Sequence, residues 1–306
     1  MGHYNVGYRD ILTVFIGGGN STLQNVIFQI RLPRILISSL CGGILAICGI
    51  YLQALFKNPI VDQKIIGVST GAAFGGCIAI LLGLNSVHLI GFAFGFSLIA
   101  LSLLFFISSF VKEFSILTLI LAGVVVNGFF GALIGLVQFC SDNEDILPNI
   151  VFWLMGSFSS ANYQKLYLLV IVAIPIIAIL YMSRWNLNIL SQDEESLKNN
   201  GIKVKKIRIF ILACVTLLIA TQVSISGNIG WIGLVVPHMI RLMVGASHLK
   251  SVPCSFVFGM SFMLIVDTIS RTITSVEIPL SIITALIGAP LFVLLLKKGV
   301  ARNKNA

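Results

Sequence analysis

Apolar residues follow one another along this chain in long runs that short polar loops separate. Several runs reach the roughly 20 residues that a helix needs to cross a bilayer. A further apolar piece, Ile150–Ser160, is too short to span and predicts an interfacial or re-entrant helix. The nine longer runs lie at about residues 35–55, 65–83, 88–111, 116–139, 163–182, 207–226, 229–244, 252–269 and 279–296, the seventh being short.

Two of these runs are broken in a similar way. Gly227–Gly245 is apolar enough for lipid, but Pro237, His238 and Arg241 interrupt it. In the first half, Asn58–Gly76 is also short and glycine-rich, and a proline opens it. Irregular backbone at membrane depth is tolerated only where protein or a water-filled cavity covers it. Matching broken segments in two halves of a chain indicate a transport path, so the pattern favours a transporter.

The composition agrees with a membrane protein. Of 306 residues, 57% are hydrophobic and only 10% are charged, whereas soluble domains carry about 25% charged residues. The six cysteines show no paired metal spacing, and most lie inside apolar runs. They are therefore predicted to be buried small hydrophobes rather than metal ligands or disulfides. The cysteines are Cys41, Cys48, Cys77, Cys140, Cys214 and Cys254.

The distribution of basic residues predicts the orientation. The net charge of +9 comes from residues in short loops between apolar runs, which is typical of membrane orientation and not of nucleic-acid binding. With the carboxyl terminus inside, fifteen of the twenty basic residues are cytoplasmic. Only Arg9, Arg31, Arg34, Lys165 and Arg271 remain outside. The cytoplasmic set is Lys57, Lys64, Lys112, Arg184, Lys198, Lys203, Lys205, Lys206, Arg208, Arg241, Lys250, Lys297, Lys298, Arg302 and Lys304.

The longest polar insertion, Ser183–Arg208, is predicted to face the cytoplasm. Asp193 and Glu194 after Ser191 indicate the start of a helix, and Gly201 indicates its end. Two short helices meeting at a glycine would form a compact knob that docks a partner. The alternative is a solvated linker.

Three arginines are predicted at the outer surface. Arg31 and Arg34 flank Pro33, and Arg271 ends the eighth run on the same side. They could reach lipid headgroups, or form a positive patch for the carboxylates of an extracytoplasmic partner. The residues alone leave both possibilities open. If the patch docks a partner, reversing Arg31 and Arg34 to glutamate should weaken docking and leave the fold intact.

Ionisable groups within the membrane are functional candidates by default. Asp267, Glu277 and His238 are such groups. Asp267 stands four residues before Arg271, and this spacing predicts an ion pair on one helix face. His238, next to Pro237, is predicted to pack or cap at a helix end.

No nucleotide-binding loop, catalytic triad or metal-ligand spacing is present in the sequence. The chain is therefore not expected to be an enzyme or to bind a metal or cofactor itself. Active transport would draw its energy from another chain or from an ion gradient.

Several of these stretches together resemble FecCD-type permeases, the membrane subunits of ABC importers for ferric siderophores, haem and cobalamin. The resemblance extends in consistent order from about Arg31 to Lys298. The stretches that carry it are Arg31–Gly75, Leu119–Leu133, Ile150–Ser159, Gly230–Gly245 and Glu277–Leu296.

The resemblance implies an all-α, polytopic membrane protein with two inverted five-helix repeats. It further implies a dimer with an identical or paralogous permease, two ATPase subunits that bind ATP, and an extracytoplasmic binding protein. The permease itself is expected in the bacterial cytoplasmic membrane. An iron-siderophore complex is the preferred cargo, with haem or cobalamin as the alternative. A secondary carrier driven by an ion gradient is the alternative from a different class.

The resemblance also implies roles for particular residues. Those expected to contact the ATPase are Leu190, Ser191, Asp193, Glu194, Ser196, Leu197 and Gly201. Those expected to dock the binding protein are Arg31, Arg34 and Arg271. The short helices near the pathway contribute Gly67, Ser69, Gly71, Gly230, Gly233, Pro237 and His238. The cytoplasmic gate corresponds to Ser115, Ile116, Leu117 and Thr118, where Ile116 and Leu117 argue against a hydroxyl-lined gate.

The amino terminus departs from the family pattern. Members of the family have one more spanning helix before the segment that matches Tyr4–Ile16, and nine crossings are expected here. A start methionine assigned downstream of the true one is the preferred explanation, and a nine-helix form is the alternative. The expected organisation is an extracytoplasmic segment at 1–30, a transmembrane domain at 31–298 with a coupling loop at 184–208, and a cytoplasmic tail at 299–306.

Overall fold

The structure is a computed structural model that describes residues 7, 12–14, 16, 18, 20–110, 115–142, 144–245 and 247–304, without the side chains of 194, 198, 296 and 298–304. In these ranges the regular structure is helical. The helices are α1 (Ser21–Gln24), continuing through a π-helical stretch (Asn25–Arg31) into α2 (Leu32–Leu55), a 3₁₀ turn (Gln63–Ile66), α3 (Val68–Leu81), α4 (Ser86–Ser109), α5 (Ile116–Cys140), α6 (Ile146–Leu154), α7 (Tyr163–Ser183), α8 (Trp185–Leu190), α9 (Glu194–Asn199), α10 (Val204–Ser226), α11 (Ile232–Val244), α12 (His248–Ser270) and α13 (Leu280–Lys304).

The predicted series of apolar helices is confirmed in the described ranges. Six helical stretches are long and apolar enough to cross a membrane, and three shorter apolar helices accompany them. The short ones include α3 and α11, which form the later parts of the two broken runs. Of the further apolar piece, Ile150–Ser160, only Ile150–Leu154 is helical, as the end of the nine-residue α6 that begins at Ile146.

The first long helix begins earlier than its apolar run. It starts at Ser21, where the Asn20 side chain accepts a hydrogen bond from Thr22 N at 3.2 Å. Hydropathy marks only the apolar part of a helix, and the polar turns before residue 35 escape it. The π-helical stretch ends at Arg31, two residues before Pro33. Proline has no backbone N–H to donate to the preceding turn, so it fits the first turn of the helix that follows. Upstream of this helix, residues 12–14 are helical and Ile16 lies in a turn.

Helix α2 is the centre of the bundle. Helix α2 belongs to the continuous helical stretch Ser21–Leu55. In the apolar 18-residue window of that stretch 83% of the residues are buried, and in the corresponding window of α10 78% are buried. The corresponding value is only 17% for α7 and 22% for α4. An outer helix that is apolar on its exposed face fits a lipid environment, so α2 and α10 form the inner pair.

Small residues allow α2 to approach its neighbours closely. A Cβ added to Gly42 would lie 2.2 Å from the carbonyl oxygen of Gly259 on α12. A Cβ added to Gly49 would lie 1.9 Å from the carbonyl oxygen of Gly233 on α11. Close backbone contact at glycines is a common way to pack helices in lipid, where apolar side chains gain little by leaving the solvent.

Helix α2 also connects the two ends of the molecule. In the π-helical stretch just before α2, the carbonyl oxygen of Phe28 accepts from Tyr163 Oη at 2.6 Å. This hydrogen bond joins the stretch to the start of α7. Just past the end of α2, Lys57 Nζ donates to the carbonyl oxygen of Gln192 at 2.6 Å. Gln192 belongs to the α8–α9 loop, so α2 runs from the face of the predicted arginine patch to the predicted knob.

The glycine contact leads to the first prediction. Gly49→Ala should lower the free energy of unfolding by about 1–3 kcal/mol, because the added methyl group forces α2 and α11 apart. Gly91→Ala on α4 is the matched control, since nothing lies within 4 Å of its added Cβ. Thermal denaturation in detergent measures both, and equal melting temperatures would contradict the close contact.

Candidate functional site

The two broken segments meet in the interior of the bundle. The side-chain amide of Gln63, on the first segment, donates to the carbonyl oxygen of Ile229 on the second. Gly233, where the second segment becomes α11, packs against Gly49. The structure thus brings together the two segments that sequence pattern alone had matched.

Helix α5 holds the first segment in place. Asp62 begins the 3₁₀ turn by accepting from Lys64 N at 2.9 Å, and Gly67 ends the turn with φ +76°. Asn127 Nδ2 donates to the carbonyl oxygen of Lys64 at 2.6 Å. A Cβ on Gly123 would lie 2.0 Å from the carbonyl oxygen of Ile65. The turn therefore lies directly against α5.

The depth of this turn follows from Asn127. It is the twelfth residue of α5, which has 25 residues and starts at Ile116. Lys64 consequently lies beside the middle of a spanning helix. The side of the membrane that Lys64 faces stays a prediction, and hydropathy alone cannot distinguish a re-entrant turn from a surface loop.

The second segment is held from α2. Gln53 Nε2 donates to the carbonyl oxygens of Gly233 at 3.1 Å and Leu234 at 3.3 Å. The Gln53 side-chain oxygen in turn accepts from the guanidinium of Arg241. Trp231, immediately before α11, has φ +71°, a region that a residue with a side chain occupies at a cost of about 1–2 kcal/mol. Such strain is common at functional sites.

Two clefts open on either side of this junction, and Lys64, Gly230 and Trp231 line both. Each cleft has a volume of about 300 Å³. The side chain of Lys64 is exposed in them, whereas Trp231 is half-buried. The first cleft, here called the amide cleft, is completed by Gln138, Val151, Leu154, Met155, Asn228 and Ser281. The second, here called the aspartate cleft, is completed by Ile60, Asp62 and Leu234.

Of the residues predicted to lie near the pathway, several serve packing. Ser69 is buried and donates to the carbonyl oxygen of Gln63 at 3.2 Å. A Cβ on Gly71 would lie 2.6 Å from Ala100 Cβ on α4. These contacts hold α3 against its neighbours, and Gly230 is the predicted pathway residue that lines the clefts.

The other two predicted pathway residues lie further along α11. Pro237 is buried inside the helix. The ring of His238 packs at an angle against Phe292 of α13, with centroids 5.9 Å apart. Packing was the role expected for this histidine.

A buried ion cluster lies near the opposite end of α2 from the knob. Arg34 donates to Asp267 from Nη2 at 2.8 Å and from Nε at 3.1 Å. It also donates to Glu277 from Nη1 at 2.6 Å and from Nη2 at 3.1 Å. Arg271 Nε lies 3.7 Å from Asp267 Oδ2, so the pair predicted from the four-residue spacing is present, with Arg34 as the closer partner.

This cluster changes what is expected of the arginines. Arg34 is only 8% exposed, and its guanidinium is committed to two carboxylates. Replacing Arg34 with glutamate would place three carboxylates together, so we expect this variant to destabilise the fold. From the sequence alone we expected the fold to stay intact. Docking of a binding protein by these arginines stays a prediction, and Arg31 and Arg271 are the more accessible of the three.

The predicted gate is a helix cap in this structure. Ser115 accepts from Thr118 N at 3.1 Å, and the two hydroxyl oxygens are 2.9 Å apart. Ile116 and Leu117 begin α5, with Leu117 exposed. Residues 111–114 lie outside the described residues, and gating stays a prediction.

The predicted knob consists of two short helices, as expected, but they are not joined at a glycine. Asp193 caps α9 by accepting from Glu195 N at 3.2 Å and from Ser196 N at 3.3 Å. Gly201, with φ +73°, follows α9 instead of connecting it to α8. The turn that links α8 to α9 consists of polar residues, and one of them, Asp193, caps α9.

The knob residues predicted to contact the ATPase differ in exposure. Leu190 and Leu197 are buried at 3% and 1% and anchor the knob. Ser191, Asp193 and Ser196 are exposed, and they form the surface that a partner could reach. The side chain of Glu194 lies outside the described part of the structure.

A cleft of about 420 Å³ lies between the knob and the end of α2. Gln53, Arg241 and Asn188 of α8 line it. Asn188 also accepts from His248 N at 3.2 Å. The Asn188–His248 contact and the Arg241–Gln53 contact therefore border one cleft between the knob region and the second broken segment.

These features define a class of protein: a multi-pass, all-helical membrane transport subunit whose broken segments face each other inside the bundle. Comparison with known proteins gives the family. The profile of the FecCD transport family matches residues 1–298. The chain belongs to the FecCD family of ABC importer permeases.

Relatives within this family differ in the cargo that their names state. The chain is 45% identical over 275 residues to the molybdate import system permease protein MolB of Haemophilus influenzae, covering 90% of this chain and 82% of that one. It is 36% identical to a probable iron chelatin transport system permease of Helicobacter pylori, covering 90% and 83%.

A solved structure has the same architecture. It is described as an inward-facing conformation of a metal-chelate type ABC transporter. The TM-score is 0.87 at 43% identity, covering 94% of this chain and 96% of that one. The permease fold extends over nearly the whole length of both chains.

The ion cluster provides the second prediction. Arg34→Met should lower the free energy of unfolding by about 3 kcal/mol, because buried Asp267 loses its closer counter-ion and keeps only Arg271 at 3.7 Å, while half-buried Glu277 loses its partner. Thermal denaturation in detergent is the measurement.

Two further variants serve as controls. Arg31→Met removes a neighbouring arginine at a more accessible position and should cost less than about 1 kcal/mol. Neutralising both acids, as Asp267→Asn with Glu277→Gln, should restore part of the stability lost in Arg34→Met. No recovery would mean that the arginine acts through packing and not through its charge.

Proposed function

We propose that this chain forms one half of the membrane path of an ATP-driven importer. A second permease subunit, identical or paralogous, would complete the path. Two ATPase subunits would bind ATP and dock on the knob, and an extracytoplasmic binding protein would deliver the cargo. The observation that carries the proposal is the pair of broken segments meeting beside Lys64 within a chain that matches the importer permease family along 298 residues.

The orientation in this proposal puts the knob and the carboxyl terminus in the cytoplasm of a bacterial cell. The excess of basic residues on that side supports it. The arginine-rich end of α2 would then face outward, toward the binding protein.

The mechanism in this proposal is alternating access. Closure of the ATPases on ATP would shift the knob, and partner binding would bias two preformed arrangements of the bundle. The Asn188–His248 contact and the Arg241–Gln53 contact border the same cleft, and movement of the knob would act on the second broken segment across it. The permease itself carries out no chemical step.

For the cargo we propose a small metal oxyanion such as molybdate. The relative named as a molybdate permease shares 45% of its residues with this chain. The amide cleft, at about 300 Å³, is at the lower limit of pockets for drug-sized ligands, which occupy about 300–1,000 Å³. The iron-siderophore complex is the second candidate, supported by the family resemblance and by the iron chelatin relative, with haem or cobalamin behind it.

The test is uptake by liposomes that contain the permease, its ATPase and the binding protein encoded with them. ATP-dependent accumulation of labelled molybdate would support the proposal. If a labelled ferric siderophore accumulates and labelled molybdate does not, the cargo is the iron-siderophore complex. Uptake driven by a proton or sodium gradient in the absence of the ATPase would overturn the importer assignment in favour of a secondary carrier.

The third prediction concerns the knob. Ser196→Tyr adds a bulky ring to its exposed surface, so the ATPase subunit should no longer co-purify with the permease. Ser86→Tyr makes the same exchange at an exposed position at the start of α4, and co-purification should be retained. Equal recovery of the ATPase with both variants would rule out this part of the knob as the docking surface.

A further inference from the structure

Lys64 is an ammonium group beside the middle of a spanning helix. A charged side chain at such a depth is costly in lipid and almost always faces the bundle interior or a water-filled cavity. Lys64 follows this rule, because it is exposed where the two clefts meet and its own backbone is fixed by Asn127. The charge is therefore directed at solvent inside the path.

The described residues offer Lys64 no ion pair. Asp267 and Glu277 are bound to Arg34 at the outer end of the bundle. Asp62 lines the aspartate cleft and interacts electrostatically with Lys64, but its carboxylate caps the turn by accepting the Lys64 backbone N–H at 2.9 Å. A carboxylate that accepts one backbone hydrogen bond keeps its charge, so Asp62 offsets part of the charge of Lys64. It forms no salt bridge with the ammonium among the described residues, and the described lining of the amide cleft contains no carboxylate, so an anion can approach Lys64 from that cleft.

The amide cleft supplies further groups that can bind an anion. Ser281 offers a hydroxyl donor and Gln138 offers a side-chain NH₂. The side-chain oxygen of Asn228 is buried without a partner among the described residues.

The size of the cleft limits what it can hold. A volume of about 300 Å³ has room for a tetrahedral oxyanion and several waters, since each water occupies about 30 Å³. The apolar wall of Val151, Leu154 and Met155 contributes no charge that would compete for the lysine.

We propose that Lys64 and the amide cleft form a transient binding site for a tetrahedral oxyanion during its passage through the permease. One lysine with neutral donors suits a site on a path, where binding must be strong enough for entry and weak enough for release. Half-buried Trp231 lines both this site and the aspartate cleft. The inference rests on the proposed importer function and adds a residue-level site for the cargo.

The fourth prediction tests this site in the complete complex in liposomes, with labelled molybdate as the probe. Lys64→Gln should lower the initial rate of uptake about tenfold at low molybdate, as expected for the loss of one charge-assisted hydrogen bond. Lys64→Arg should retain most of the uptake because it keeps the charge. Since the Lys64 side chain is exposed, neither variant should change the melting temperature.

Lys250→Gln is the matched control. It removes the same charge at an exposed position in the first turn of α12, and uptake should be unchanged. ATP hydrolysis stimulated by the binding protein should be equal in all variants, which separates a cargo site from a defect in coupling.

The outcomes distinguish this inference from the proposed function. If the wild type takes up molybdate and Lys64→Gln takes it up at the same rate, the proposed site is wrong and the importer function stands. ATP-dependent uptake of a ferric siderophore but not of molybdate would overturn both the site and the oxyanion cargo. ATP-independent accumulation would overturn the importer itself.

Discussion

The interior of a bilayer offers no hydrogen-bonding partner to an interrupted helix, so every broken stretch of backbone must be satisfied from within the protein. Here side-chain amides provide much of that support. Gln53 reaches the carbonyl oxygens at the start of α11, Gln63 reaches Ile229, and Asn127 reaches Lys64. Each amide joins a broken segment to a different element. The irregular backbone that makes a path possible thus depends on three neutral side chains.

Such support requires close approach, and glycine makes it possible. At Gly49 and Gly42, α2 touches the backbones of α11 and α12 so closely that no side chain fits between them. The helix is buried nearly all round and extends from the ion cluster at Arg34 to the knob at Gln192. The knob thus contacts the end of the most buried helix directly, through Lys57 and Gln192. A rigid centre with broken segments attached is suited to switching between discrete arrangements rather than deforming gradually.

Charge is used in two ways at two depths. At the end of α2 away from the knob, Arg34 is engaged by two carboxylates and joins α2 to α12 and to the segment that precedes α13. Beside the middle of α5, Lys64 is exposed, and Asp62 interacts with it electrostatically without a salt bridge among the described residues. Removing one partner of a buried ion cluster is strongly destabilising, whereas an exposed charge that is only partly offset can be removed at little cost to the fold. The difference lies in the surroundings, because both residues are simply basic in the sequence.

The sequence by itself determined that the chain is a helical membrane transport subunit, since apolar run length and breaks at Gly227–Gly245 and Asn58–Gly76 are local properties. It also indicated the Asp267–Arg271 pair and the helix that begins after Asp193, which depend on spacing along one element. Only the tertiary structure decided that Arg34 is buried between two acids and that Lys64 lies beside the middle of α5. Those facts depend on which elements meet, and neither hydropathy nor charge counting contains that information. A re-entrant turn and a cytoplasmic loop have the same composition, and packing against α5 alone separates them.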